Sequence, residues 1–173
     1  GDYRILNANS KPDKYPIPRI NDVTRRLKNF KVLSKIDFRK AYFHIPVHPD
    51  DISKTAIITP FGLFEFLYMP FGLRNSSQTF QRFMDNIMRH LSFVQIFLDD
   101  ILIGSSSMEE HEKHLNQVFE VLNKYGLRIN LEKCVFATDS IEFLGYNVSA
   151  NGLSIPERYT ESIKNFPRPE DYS

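Results

Sequence analysis

The chain has little of several features that define common protein classes. It has no tryptophan, one cysteine (Cys134) and seven glycines among 173 residues. A single cysteine can form neither an internal disulfide nor a cysteine-rich zinc site. No apolar run approaches the roughly 18 residues that a membrane span requires, so we expect no membrane partner. Residues 1–10 carry no secretion-signal pattern and no initiating methionine, and we expect the chain to be a piece of a longer protein.

The composition is that of a globular domain. Hydrophobic residues make up 42% and charged residues 25%, and fifteen phenylalanines and eight tyrosines supply apolar area for a core. The net charge is only +1, but basic residues outnumber acidic ones over residues 1–50 and acidic ones dominate after residue 109. A basic amino-terminal third is compatible with phosphate contacts and equally with a solvated helix face.

Helix and strand signals are mixed along the chain. Helices are predicted over residues 19–30, after Asn75 or Ser76, and from a capping box at Ser107 and Glu110 to Gly126. Strands are predicted over residues 32–36, 55–59, 64–68, 93–98, 101–104, 128–131 and 140–149, and after Asn151-Gly152. Without regular βαβ alternation, this order predicts an α+β fold: an antiparallel sheet with helices on one face.

Two adjacent carboxylates stand in an intensely apolar stretch. Asp99 and Asp100 are predicted to form the turn between two buried strands, and Asp37 ends another apolar strand. Like charges in such a place are costly unless a cation lies beside them, although aspartate is also common in ordinary solvated turns. If the strands are neighbours, the three carboxylates converge and two Mg²⁺ ions (or Mn²⁺) could bridge them for phosphoryl transfer.

A group of histidines and glutamates in the third predicted helix has a simpler interpretation. His111 and His114 lie beside Glu110 and Glu112, but their spacing is not the i, i+4 spacing of a helical zinc motif. We therefore predict a solvated helix face there.

Ordered motifs along nearly the whole chain resemble one family. The chain resembles the reverse transcriptases of gypsy-type long-terminal-repeat retrotransposons and, more distantly, the retroviral enzymes. The matching segments are residues 2–7 (DYRILN), 15–20 (YPIPRI), 34–37 (SKID), 41–42 (AY), 54–56 (KTA), 64–66 (FEF), 69–73 (MPFGL), 79–82 (TFQR), 97–100 (FLDD), 133–134 (KC) and 143–145 (FLG).

The resemblance implies a right-hand polymerase. On the family's map, residues 1–11 and 45–75 are fingers, residues 12–44 and 76–155 are palm, and residues 156–173 begin the link to an absent thumb. The family's basic dNTP-binding residues are expected upstream of Asp2. Thumb and ribonuclease H modules are expected in the parent polyprotein. The expected location is a cytoplasmic element particle whose DNA product is destined for the nucleus.

The resemblance also assigns site residues. Asp37, Asp99 and Asp100 match the metal-binding aspartates, with Phe97 in place of the tyrosine of the family's Tyr-x-Asp-Asp motif. Tyr42 matches the aromatic gate that excludes a 2′-hydroxyl; the alternative is a core aromatic in a half-buried strand. The other assignments are Phe71 and Gly72 to the nucleotide pocket, Lys133 to protonation of the leaving pyrophosphate, and Phe143, Leu144, Gly145 and Tyr146 to the primer grip.

These assignments predict an RNA-directed DNA polymerase. It would transfer a dNMP from a dNTP to a primer 3′-hydroxyl on an RNA or DNA template and release pyrophosphate. The 173-residue chain alone is expected to have weak polymerase activity or none. Two alternatives stay open: a decayed or domesticated nucleic-acid-binding remnant without catalysis, and a two-metal nuclease that uses the same carboxylates. Lys133 and the 143–146 hairpin have plain alternatives too, as a solvated lysine and an ordinary hairpin arm.

Overall fold

The computed structural model describes residues 1–18 and 30–158. The helix predicted over residues 19–30 and most of the predicted link after residue 156 lie outside the described residues. The helices are α1 (Arg4–Asn9), α2 (Ser76–Met88) and α3 (Met108–Lys124). The strands are β1 (Val32–Asp37), β2 (Ile57–Thr59), β3 (Gly62–Phe64), β4 (Val94–Phe97), β5 (Asp100–Ser105), β6 (Val135–Thr138), β7 (Ser140–Phe143), β8 (Tyr146–Ser149) and β9 (Gly152–Ser154).

Three antiparallel sheets organise these strands. The central sheet has the order β4-β5-β1-β6, β2 and β3 form a separate hairpin, and β7, β8 and β9 form a three-stranded meander. Strand β1 pairs with β5 from Val32 opposite Ser105 to Asp37 opposite Asp100. The carboxyl end of β1 and the amino end of β5 therefore lie at the same edge of the sheet.

The central sheet separates two apolar cores. On one face, Ile36, Ile101 and Ile103 pack with residues of α2 and α3. On the other, Leu33 and Leu102 pack with Ile141, Phe143 and Val148 of the meander. Alternate side chains of β1 and β5 thus enter opposite cores, as the two-residue period of a strand requires. This confirms the α+β prediction of helices on one face, with the meander covering the other.

The helix ends follow the sequence signals in part. The hydroxyl of Ser107 accepts a hydrogen bond from Glu110 N at 3.2 Å, as the capping box predicts, but the Glu110 carboxylate bonds to Ser106. Gly126 adopts a φ of 67°, which ends the turn after α3. Asn75 precedes α2 without a side-chain cap, because its amide instead bonds to the backbone of Lys11 and Asp13.

Three strand predictions need correction. The strand predicted over residues 64–68 lies earlier in the chain, as β3 at Gly62–Phe64, and Tyr68 forms only a single bridge to Pro46. The β4–β5 turn consists of Leu98 and Asp99, since Phe97 pairs with Asp100; the predicted turn Asp99-Asp100 was one residue late. Leu98 takes the left-handed conformation, with a φ of 49°, which a propensity argument would not assign to leucine. Residues 128–131 do not form a named strand but give a single bridge from Ile129 to Phe38, and β6 was not predicted.

The prediction of a solvated histidine face on α3 was wrong. His111 is 1% exposed, and its two ring nitrogens hydrogen-bond to Ser34 Oγ at 2.6 Å and Ser105 Oγ at 2.7 Å. The ring of His114 stacks on Phe93 with centroids 3.5 Å apart, and its Nδ1 lies 2.8 Å from Ser105 Oγ. Both histidines are part of the packing between α3 and the sheet. Across the described ranges, no helix has the length and apolar character to cross a membrane.

Candidate active site

Three carboxylates lie at one edge of the central sheet. Asp37 is the last residue of β1, Asp100 directly opposite is the first residue of β5, and Asp99 precedes it in the turn. The amide of Phe38 donates to the carbonyl of Asp99 at 3.4 Å, which ties the turn to the chain leaving β1. The strands that carry the aspartates are therefore neighbours, which is the condition that the sequence analysis set for convergence of the three carboxylates.

This edge of the sheet, with Asp37, Asp99 and Asp100, is called the carboxylate edge. Nearby positive side chains do not fully neutralise its negative charge. Burial, followed by repulsion from Asp100 and Asp37, raises the pKa of Asp99. Burial also raises the pKa of Asp100, and so does Asp37, while the positive charges of Lys35 and Lys133 act in the opposite direction. Asp99 Oδ1 is buried, with no hydrogen-bond partner in the part of the chain that the structure describes. A cation would satisfy that oxygen and relieve the repulsion.

The chemistry of this edge suits a hard divalent cation. Carboxylate oxygens are the ligands that Mg²⁺ and Mn²⁺ prefer. Within residues 1–18 and 30–158, however, no three His, Cys, Asp or Glu side chains are grouped closely enough to form a ready ligand set. The carboxylates of Asp37, Asp99 and Asp100 are thus close enough to repel one another, but they do not form a compact set of metal ligands. They are the residues that could hold such an ion.

Tyr42 lies beside this edge. It belongs to a short 3₁₀ turn, Ala41–His44, and not to the half-buried strand of the alternative interpretation. Its hydroxyl is 3.0 Å from Ser77 Oγ, and its ring contacts Phe71 and Phe80 with centroid separations of 5.2 and 5.8 Å. Partial burial raises the pKa of Tyr42; the Ser77 hydrogen bond opposes that rise, and the negative charge of Asp99 adds a smaller increase. The ring therefore connects the carboxylates to the loop around Phe71.

The Phe71-Gly72 loop is exposed but anchored. Phe71 is 52% exposed and also contacts the ring of Phe43 at 5.7 Å. Gly72 has a φ of +92°, and the side-chain amide of Asn7 donates to its carbonyl at 2.8 Å. A side chain at position 72 would require an unfavourable backbone conformation. The loop thus presents an aromatic ring next to Tyr42 on a backbone fixed to α1.

Lys133 approaches the carboxylates from a tight segment after α3. Asn130 N donates to Asp37 O at 2.8 Å, and Asp37 N donates to Cys134 Sγ at 3.4 Å, so this segment is attached to the end of β1. Lys133 is exposed, and its positive charge opposes part of the rise in the pKa of Asp100. The structure places it near the site.

The hairpin predicted at residues 143–146 is present. Leu144 and Gly145 form its two-residue turn, with φ values of 53° and 78°, the positive values of a type I′ turn. Phe143 is buried in the core between the central sheet and the meander, and both Leu144 and Phe97 pack against that core. Tyr146 is half-buried opposite Phe143. The hairpin therefore shares a core with the strands that carry the aspartates, whereas its role as a primer grip stays a prediction.

A family model described as "Reverse transcriptase (RNA-dependent DNA polymerase)" matches residues 1–148. The chain belongs to the reverse transcriptase family. It is 39% identical over 170 residues to the retrovirus-related Pol polyprotein from transposon 297 of Drosophila melanogaster, covering 97% of this chain and 16% of that protein. It is 34% identical over 172 residues to the transposon Tf2-3 polyprotein of Schizosaccharomyces pombe, covering 98% and 13%. A gypsy-type origin is consistent with these relatives.

Solved structures agree on the fold of this reverse transcriptase chain. The foamy viral protease-reverse transcriptase dRH in complex with double-stranded DNA matches with a TM-score of 0.90 at 23% identity, over 97% of this chain and 30% of that one. The same viral protein in complex with an RNA/DNA hybrid matches with a TM-score of 0.85 at 23% identity, over 97% and 23%. The described fold is thus that of a reverse transcriptase segment.

One residue beside the candidate site of this reverse transcriptase chain was missed by the sequence reasoning. Gln81 is fully buried on α2, and its side-chain oxygen accepts a hydrogen bond from Leu98 N at 2.8 Å. The available signal was a polar amide between Phe80 and Met84 on the apolar stripe of a helix. A buried amide needs partners, and here the partner is the turn that carries Asp99.

Proposed function

We propose that this chain is the catalytic core of an RNA-directed DNA polymerase from a retrotransposon polyprotein. The observation that carries the proposal is the pairing of Asp37 with Asp100, with Asp99 in the adjoining turn, in a chain of the reverse transcriptase family. Because the chain spans only about a sixth or less of its curated relatives, the activity is proposed for the parent protein.

The reaction extends a primer by one nucleotide. The primer 3′-hydroxyl oxygen attacks the α-phosphorus of a dNTP and forms a new P–O bond, while the bond to the β-phosphate oxygen breaks. The hydroxyl proton leaves to solvent, and pyrophosphate departs with the electron pair of the broken bond. In such a reaction the protein contributes mainly positioning and charge stabilisation.

The carboxylate edge supplies the charge. Asp37, Asp99 and Asp100 would hold two Mg²⁺ or Mn²⁺ ions, which when bound stabilise the attacking and leaving oxygens. The unpaired, buried Asp99 Oδ1 supports this role. Lys133, which is exposed and whose charge acts on Asp100, would give a proton to the leaving pyrophosphate.

Tyr42 is proposed to select the sugar. Its ring contacts both Phe71 and Phe80, and these contacts would restrict its movement when a nucleotide enters beside Asp99. A ring fixed beneath the sugar collides with a 2′-hydroxyl and leaves room for a deoxyribose. The exposed ring of Phe71 and the backbone of Gly72 would form the neighbouring wall of the nucleotide pocket.

A primer annealed to an RNA or DNA template is the proposed nucleic-acid partner. The foamy viral relatives in fold were solved with an RNA/DNA hybrid and with double-stranded DNA, which supports this choice. The hairpin of Phe143, Leu144, Gly145 and Tyr146 is proposed to hold the primer end, since it shares a core with the aspartate-bearing strands. Thumb and ribonuclease H modules would come from the rest of the polyprotein.

The test is primer extension by the parent polymerase with Asp37→Asn. We expect extension to fall by at least about 10²–10³-fold, the cost of removing one electrostatic group from such a site. Asp139→Asn, at an exposed position after β6, is the matched control and should extend normally. Undiminished extension by Asp37→Asn would refute the proposal. Shortening of the primer by the unsubstituted protein would favour the nuclease, and no reaction at all would favour the decayed remnant.

A further inference from the structure

The turn that carries Asp99 has a backbone that needs support. Leu98 adopts a φ of 49°, a left-handed conformation that is uncommon for a branched apolar residue. Such residues persist where the surrounding structure holds them in place. The position of Asp99 therefore depends on whatever holds Leu98.

The side chain of Gln81 makes that contact from α2. Its Oε1 accepts from Leu98 N at 2.8 Å, and its Nε2 donates to Ile96 O at 3.2 Å. These two bonds attach the backbone on both sides of Phe97 to the helix. Gln81 is 0% exposed, so water does not compete for either bond.

The amide of Gln81 is itself oriented by a carboxylate. Its Nε2 also donates to Asp85 Oδ1 at 3.0 Å, and Asp85 Oδ2 accepts from the hydroxyl of Tyr15 at 2.7 Å. Nε2 faces two acceptors and Oε1 faces one donor, so a flipped amide would lose all three bonds. A continuous chain of hydrogen bonds thus runs from Tyr15 through α2 to the turn.

We propose that Gln81 is a positioning residue that holds the Leu98-Asp99 turn in the conformation that presents Asp99 to the site. Asp85 fixes the direction of the Gln81 amide, and Tyr15 fixes Asp85. The consequence for metal binding and catalysis rests on the proposed function. The holding of the turn itself does not.

The experiment compares Gln81→Met with Gln117→Met in the 173-residue chain. Methionine has nearly the shape of glutamine but makes none of the three bonds, and Gln117 is an exposed glutamine of α3. Hydrogen exchange of the Leu98 amide, followed by NMR, reads the turn directly. We expect exchange about tenfold faster in Gln81→Met, the equivalent of one hydrogen bond, and unchanged exchange in the control.

Mn²⁺ binding, followed by electron paramagnetic resonance, reads the effect on the site. Affinity should fall roughly 10-fold in Gln81→Met, as for partners that orient metal ligands, and should be lost in Asp99→Asn. The double variant Gln81→Glu with Asp85→Asn keeps an acceptor for Leu98 N and a donor–acceptor pair on α2. This double variant should partly restore both the slow exchange of the Leu98 amide and the Mn²⁺ affinity. It also keeps the proposal testable if Gln81→Met folds poorly.

Unchanged exchange at Leu98 in Gln81→Met would overturn the proposal. Faster exchange with undiminished Mn²⁺ affinity would equally overturn the positioning role. If the unsubstituted chain shows no Mn²⁺ binding that depends on Asp99, the metal site of the proposed function fails. The Gln81 proposal is then decided by the exchange of the Leu98 amide alone.

Discussion

The β1–β5 ladder has buried or half-buried polar side chains towards both of its ends, and the two ends differ in how these groups are satisfied. Towards one end, Ser34 and Ser105 bond to both ring nitrogens of His111, and Ser34 Oγ also accepts from Ala137 N at 2.9 Å. At the other end, Asp37 faces Asp100, and Asp99 Oδ1 has no partner in the described parts of the chain. The first end we call the histidine end and the second the carboxylate end.

The difference separates a structural polar cluster from the one that we propose to be functional. A buried polar group that is fully hydrogen-bonded holds elements together, as His111 holds α3 to the sheet. Repelling carboxylates with an unpaired oxygen cost stability and are retained where a ligand compensates them. In this chain the arrangement of partners, more than burial itself, distinguishes the two ends.

The largest expected effect lies at the carboxylate end. Asp99→Asn in the parent polymerase should lower primer extension by at least about 10²–10³-fold. Because burial and like charge raise the pKa of Asp99, its ionised form disfavours the fold, and the neutral amide should leave the melting temperature unchanged or higher. Extension assays and thermal melts of the same preparations measure both. A large loss of stability would instead indicate that the carboxylate end has a structural role, like the histidine end.

Tyr42 gives the next largest effect and is a test of selectivity. Tyr42→Ala should raise the use of ribonucleotides relative to deoxynucleotides by roughly 10–200-fold, the range for removing a steric element from a pocket. Tyr42→Phe loses only the hydrogen bond to Ser77 and is the control, with a nearly unchanged ratio. Single-nucleotide extension gives the ratio. If the ring is merely core, Tyr42→Ala should cost about 3–5 kcal/mol of stability and leave the ratio unchanged.

At the histidine end, the expected effect is on stability alone. His111→Leu fills a similar volume but removes a hydrogen-bond partner from Ser34 and Ser105, which should cost roughly 1–3 kcal/mol in the free energy of unfolding. His90→Leu, at an exposed position, should cost little. Urea unfolding of the 173-residue chain measures the difference. Extension per folded molecule of the parent enzyme should not change, and a specific loss of activity would contradict the comparison.

The smallest effect is a dependence on pH. Burial, and then the nearby His114, lower the pKa of His111, so the unfolded chain takes up a proton before the native one does. His111 therefore contributes most above about pH 6.5, and its contribution declines as the pH falls below that value. The difference in unfolding free energy between the unsubstituted chain and His111→Leu should shrink between pH 8 and pH 5. A difference that grows on acidification would reverse the assigned sign.

Much of the fold follows from local patterns, whereas the finer geometry depends on distant partners. The apolar stripe of α2 and the short β-rich apolar runs of β1 and β5 are local patterns, so these elements could be predicted. The aspartates could be named because their apolar flanks made them conspicuous. The turn at Leu98 and the burial of His111 could not be predicted, because each depends on a side chain many residues away. That side chain is Gln81 for the turn and Ser34 for His111.

The position of β1 inside the sheet has a consequence for synthesis of the protein. β1 leaves the ribosome well before either of its partners, because β5 and β6 come from residues 100–105 and 135–138. At about 5–20 residues per second, both edges of β1 wait unpaired for several seconds. Nascent chains are then exposed to edge-to-edge association, and any copy truncated before residue 138 lacks the outer neighbour of the strand that ends in Asp37.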